Sequence, residues 1–198
     1  MSEAAYAASV RAASRGLWRG AIDASTFYGM MLSSIDVYYE RAWREGAAMC
    51  GVVPEDRTPR EQAALNREVM LARSSITGLG LFIEQHSKAT GGKLSLLYPR
   101  LSLWSNRYPA IVMLAQVMAC GDQKLRWEYG GTHDHCEDCA MYVGKVFRAS
   151  VWHRYGALPR SRSLECGGWR CQCRLVQTTE PVTPGRPHSP SRGLGFGF

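Results

Sequence analysis

Thr132–Cys139, THDHCEDC, packs two cysteines, two histidines and three carboxylates into eight residues, and Cys166–Cys173, CGGWRCQC, brings three more cysteines after an interval of 26 residues. A Cys-x2-Cys pair sets two thiolates on one tight turn at angles suited to tetrahedral Zn²⁺, and a distant second pair closes such a site. Four thiolates suffice; here there are five, Cys136, Cys139, Cys166, Cys171 and Cys173. Cys136 and Cys139 form the first pair. For the second, Cys166 with Cys171 and Cys171 with Cys173 are both stereochemically possible, and His133 or His135 can take the place of one thiolate. Gly167 and Gly168 allow the second knuckle to turn sharply. The spacing predicts one structural Zn²⁺ per chain in preference to a redox or disulfide pair. A site of this kind contributes on the order of 10 kcal/mol to folding, which can organise a module with little core of its own. Trp127, Trp152 and Trp169 are expected to supply much of that core.

Enzyme templates fit this cluster poorly. A zinc deaminase needs a His-x-Glu upstream of its Cys-x2-Cys, and that triplet does not occur. Catalytic zinc keeps three protein ligands and an open position, whereas donors are in surplus here. His133, Asp134 and His135 read as supporting or surface groups rather than general bases. Gly91–Lys93 lacks the rest of a phosphate-binding loop. No catalytic residue is assigned. Cys50 and Cys120 have no partner by spacing and read as core cysteines.

Upstream, the pattern is helical. Residues 23–49 read as a long helix capped by Asp23, with Phe27, Met31, Ile35, Tyr38 and Ala42 on one face and Gly51 at its end. The stretch RTPREQ has helix-start chemistry, with Thr58 as N-cap, Pro59 at the first helical position and Glu61 closing a capping box. Leu65, Val69, Ala72, Ile76, Leu79 and Ile83 then form an apolar seam, where Gly78 and Gly80 either weaken the helix or permit close packing. Residues 94–119 are helical in pattern but broken by Pro99 and Pro109 into two or three shorter helices. Helical periodicity fades after Gly121.

The expected architecture is a mainly α N-terminal body over 1–121 and a small, loop-rich, zinc-stapled α+β module over 122–177. A flexible, disordered tail rich in Pro, Gly and Ser follows over 178–198. Phe196 and Phe198 at its tip read as disordered rather than as a docking element. The chain shows neither a signal-peptide pattern nor an apolar run long enough to span a bilayer. It is expected to mature in a reducing cytosol, where clustered cysteines hold metal.

The formal charge of +7 is unevenly placed. Residues 1–139 carry fifteen Lys/Arg and fifteen Asp/Glu, whereas residues 140–176 carry seven Lys/Arg and only Glu165. A basic C-terminal end on a neutral body points to an acidic or polyanionic partner, nucleic acid or an acidic protein surface.

The segments LWRGAID, AWREGA and RLSLWSNRY, together with the block from Trp127 to Leu175 (WEYGGTHDHCEDCAMYVGKVFRASVWHRYGALPRSRSLECGGWRCQCRL), resemble the phage head morphogenesis family, the minor head proteins similar to protein F of phage Mu. That family joins a helical N-terminal region to a module in which a Trp precedes a Cys-x2-Cys, followed by a Gly turn, a Pro and a His/Cys-rich ending. Trp127, Cys136, Cys139, Gly144, Pro159, Cys171 and Cys173 stand at the matching places. Cys166 stands about where the family has its terminal histidine, at a longer spacing from Cys171. The resemblance implies a virion structural protein, acting near the portal in head morphogenesis or DNA packaging. It would be found in the virion and, during assembly, in the host cytoplasm, with portal and capsid proteins as partners and packaged DNA as a further contact. An intracellular zinc-ribbon protein that binds nucleic acid or regulates, and a small phage-encoded nuclease using His133, Asp134 and His135, are the two alternatives.

Overall fold

The computed structural model describes residues 2–131, 135–169 and 171–191. The body is built from five helices: α1 (Ser2–Arg19), α2 (Ala24–Ala48), α3 (Pro59–Gln85), α4 (Tyr98–Ser105) and α5 (Arg107–Ala119). Capping follows the expected chemistry. The Asp23 carboxylate accepts from Thr26 N at 2.7 Å, and Thr58 and Glu61 form a complete capping box at the start of α3. Gly51, at φ +74°, follows the end of α2 in the left-handed conformation. Pro99 and Pro109 each fall within the first turn of a helix, where a missing N–H costs no intrahelical bond, so they open α4 and α5 rather than interrupt one long helix.

Helix α5 is the hub. It is apolar on every side and buries residues 108, 109 and 111–117, as a helix surrounded by others must. Gly46 sets its distance from α2: a Cβ there would lie 2.2 Å from Val112 O and 2.8 Å from the Ala115 Cβ. Gly80 plays the same part more loosely between α3 and α2, where a Cβ would meet Phe27 Cε1 at 3.3 Å. The α3 seam is buried through Leu65, Ala72, Ile76, Leu79 and Ile83, with Val69 half-buried. On α2 the buried stripe passes through Tyr39 rather than the expected Tyr38, which stays half-buried. Residues 2–19, to which the sequence reading assigned no element, form α1 and bury Tyr6, Val10, Ala13 and Leu17.

Beyond Gly121 the chain forms a three-stranded antiparallel sheet of β1 (Lys124–Glu128), β2 (Val146–Arg148) and β3 (Arg174–Gln177), in the order β2-β1-β3. Two short helices, α6 (Glu137–Tyr142) and α7 (Ala149–Arg154), lie between β1 and β3 in the chain. Trp127 and Trp152 are fully buried, with centroids 5.6 Å apart, and Tyr142 packs against both. Trp169, expected to share this core, is instead 41 % exposed, and Tyr142 and Phe147 take up the work. One apolar cluster runs without a break from Tyr6 in α1 to Leu175 in β3.

Two further features depart from the sequence reading. Cys50 and Cys120, read as unpartnered core cysteines, are joined as a disulfide between the ends of α2 and α5, with Cα atoms 5.2 Å apart. Their 70-residue separation hid the pairing, which only the crossing of two helices creates. Residues 178–191 of the expected flexible tail run as irregular backbone along the module: Thr183 N donates to Val146 O at 2.8 Å, and the Tyr142 hydroxyl donates to His188 O at 2.8 Å. They cover the free edge of β2, which would otherwise present unpaired backbone groups. Phe196 and Phe198 lie outside the described residues.

Candidate metal centre

The two cysteine clusters meet at the end of the sheet. Cys136 is the N-cap of α6, so the first turn of that helix carries Cys139 back beside it. The second knuckle is shaped by left-handed backbone: Arg160 at φ 63°, then Gly167 and Gly168 at φ 58° and 81°. Gly168 is also sterically obligatory, since a Cβ there would stand 2.3 Å from Arg160 O. Gly130, just past β1, allows the backbone at Gln172 to approach; a Cβ would lie 2.1 Å from Gln172 O. Cys171 and Cys173 are thereby pressed against the first knuckle.

Cys139, Cys171 and Cys173 are buried, and their sulfurs all lie within 4.8 Å of one another, a group able to hold a metal ion. The Cys139 and Cys171 sulfurs are 3.9 Å apart. Cys136 and Cys166, both half-buried, adjoin the group through hydrogen-bonding contacts with Cys139, and Cys166 also meets Cys171. Of the five cysteines singled out by spacing, the buried group contains Cys139, Cys171 and Cys173, with Cys136 and Cys166 beside it. His135 joins them: its Nδ1 is 3.9 Å from the Cys173 sulfur, and its ring stacks on Tyr129 with centroids 3.7 Å apart. His133 and Asp134 lie outside the described residues.

Electrostatics favour a cation at this point. Hydrogen bonds from Cys139 and other neighbouring thiols pull Cys136 and Cys171 far down toward the thiolate. Hydrogen bonds to Cys136 and the other thiols push Cys139 far up. Several buried thiols side by side cannot all ionise without a counter-ion, because thiolates repel. A divalent cation removes the conflict and ionises the donors together. Backbone N–H groups are already aimed at the sulfurs, from Cys139 to Cys136, from Gly168 to Cys166 and from Cys173 to Cys171. These bonds favour the charged form of each ligand.

Two residues that the spacing did not single out lash the knuckles together. Asp138, fully buried inside the Cys-x2-Cys, accepts from Glu165 N at 2.6 Å, and from the backbone N and hydroxyl of Ser191 at 3.1 and 3.2 Å. Glu165 in turn accepts from Glu137 N at 2.8 Å. An acidic residue within the knuckle was the only sequence signal for this clasp. Its partners lie 27 and 53 residues away.

The basic surface is smaller than the charge count suggests. Glu128 binds both Arg126 and Arg174, and Arg126 also contacts Glu180. Arg160 reaches Glu3 of α1 at 3.6 Å. Arg162 turns inward beside Arg107, Ser75 and Trp104, where the enclosed space is about 10 Å³, roughly one water molecule. Arg170 lies outside the described residues. An open depression of about 500 Å³ at the end of the sheet is lined by Gln123, Lys124, Gln177, Thr178 and Thr179, and Lys124 Nζ donates to the backbone oxygens of Thr179 and Glu180 at 2.7 Å. No helix among the described residues is long and apolar enough to cross a membrane.

No protein-family model, curated protein or solved structure matches the chain.

Proposed function

We propose that this chain is a non-catalytic adaptor of a tailed-phage or prophage head. Its C-terminal module is held by structural Zn²⁺, and it acts beside the portal during head morphogenesis or DNA packaging. The buried group of Cys139, Cys171 and Cys173, with Cys136 and Cys166 in contact with Cys139 and His135 against Cys173, supports this reading, because such a donor set can saturate zinc with protein ligands. Saturated zinc holds a fold together and leaves no position for an activated water. The Trp127 to Leu175 block, with its resemblance to minor head proteins, supplies the biological setting. The pairing of Arg126, Arg160 and Arg174 with carboxylates of the same chain favours protein over DNA as the partner, since cations already engaged release few counterions on meeting phosphate.

The test is co-expression of the full chain with the portal and capsid proteins encoded beside it, together with titration against duplex DNA near physiological salt. A stoichiometric, salt-sensitive complex with the portal or capsid protein is expected, along with weak DNA binding. Tight DNA binding with no retention of either structural protein would favour the zinc-ribbon alternative. Metal-dependent DNA cleavage abolished by His133→Ala and His135→Ala together, with the fold intact, would favour the nuclease.

A further inference from the structure

The metal-binding reading leaves a surplus of donors, and the geometry of the surplus is informative. Two thiolates on one tetrahedral Zn²⁺, each at about 2.3 Å, are about 3.8 Å apart, and a thiolate and an imidazole nitrogen about 3.6 Å apart. Cys139 and Cys171 are separated by 3.9 Å, and Cys173 and His135 Nδ1 also by 3.9 Å. Two separate pairs thus sit within a few tenths of an ångström of liganding distance. A single ion can use Cys139, Cys171, Cys173 and His135, which strands Cys136 and Cys166 against Cys139. Alternatively, Cys136 and Cys166, which contact Cys139 and each other, would serve with Cys139 and Cys171, which strands Cys173 and His135. Cys139 and Cys171 belong to both sets.

We propose that the module binds two Zn²⁺ ions, with the Cys139 and Cys171 thiolates bridging them, Cys136 and Cys166 completing one tetrahedron, and Cys173 and His135 the other. The arithmetic closes: two tetrahedral ions offer eight positions, and six donors fill eight when two of them bridge. The shared pair is buried, at 1 % and 6 % exposure, as is Cys173 at 1 %, whereas Cys136 and Cys166 lie further out. Charge is compatible with this: two ions with five thiolates and a neutral imidazole carry −1, no more than one ion on Cys139, Cys171, Cys173 and His135. Each step is a proton for metal exchange at sulfur: five thiol protons are released to solvent, and no oxidant or reductant is needed.

This inference rests on the metal-binding reading above, and metal stoichiometry separates the two. Elemental analysis and native mass measurement of the full chain, purified with zinc present under reducing conditions, are expected to give two ions per chain. One ion per chain overturns the bridged pair and leaves the structural-zinc reading standing; none overturns both. Loading with ¹¹³Cd²⁺ tests the bridge directly, with two resonances showing mutual metal–metal coupling through sulfur expected. Two uncoupled resonances overturn the bridge. Cys173→Ser should lower the ratio from two to one while helicity is retained; a ratio of two in this variant overturns the ligand assignment. The wild-type stoichiometry and coupling decide the matter even if the variant does not fold.

Discussion

Replacing Asp138 by Asn tests whether the clasp between the knuckles builds the metal centre. The wild-type carboxylate receives three hydrogen bonds, one from Glu165 N on Oδ2 and two from Ser191 on Oδ1, in a side chain with no exposure. Asn keeps the shape and can still accept from Ser191, but its amide then faces Glu165 N, donor against donor. The loss is one hydrogen bond to a charged group, about 1.5–3 kcal/mol, with the Glu165 N–H left without an acceptor. A total of about 3 kcal/mol follows, equivalent to a fall of roughly 6–12 °C in Tm for a chain of this size. Because Glu165 immediately precedes Cys166, the second knuckle is also released, and zinc affinity should drop by about 10- to 100-fold, as when a ligand's supporting partner is lost. Ser191→Ala removes only the 3.2 Å hydroxyl bond and should cost about 1 kcal/mol. Differential scanning calorimetry in excess zinc, paired with competition against a chromophoric chelator, measures both quantities. A Tm for Asp138→Asn within 2 °C of wild type, with unchanged zinc affinity, would refute the clasp.

Gly46→Ala should be costly, because the new methyl would stand 2.2 Å from Val112 O and α2 must move off α5; about 1–3 kcal/mol of overpacking is expected in chemical denaturation. Gly80→Ala, whose nearest contacts are side-chain atoms at 3.3 and 3.4 Å, should cost clearly less, and equal losses would contradict the packing argument. Chelation at neutral pH should shift the emission of Trp127 and Trp152 to the red while most far-UV helical signal survives, because α1 to α5 hold no metal ligand. Simultaneous collapse of both signals would show that the body also depends on the metal. Glu40 is held below the usual carboxylate range by its hydrogen bonds from Arg57. A depressed folded pKa contributes stability that is present above the unfolded value, about 4.3, and lost as pH falls through the folded one. Arg57→Ala should therefore flatten the acid limb of the stability curve, and an unchanged limb would remove Glu40 from the account.

How much was legible in the sequence depended on how local the cause was. Asp23 and the Thr58–Glu61 box act within one helical turn, so the starts of α2 and α3 followed from side-chain chemistry alone. The seam from Leu65 to Ile83 followed from helical periodicity, and the five module cysteines from knuckle spacing, since a Cys-x2-Cys has few uses that satisfy two thiolates on one turn. Helix α1 was not read from the sequence, although its buried Tyr6, Val10, Ala13 and Leu17 recur at the alternating four- and three-residue spacing of a helical stripe. Tertiary structure alone decided which cysteines touch. Cys50 meets Cys120 only because two helices end side by side, and Cys139 becomes the centre of the cluster only because Gly130 and Gly168 let two loops close upon it. The clasp of Asp138 on Glu165 and Ser191, and the turning of Arg160 and Arg162 toward the helical body, belong to the same class. Spacing along the chain specifies what one turn of backbone can bring together. Contacts between distant residues are specified by the packing of whole elements, which no single stretch of sequence contains.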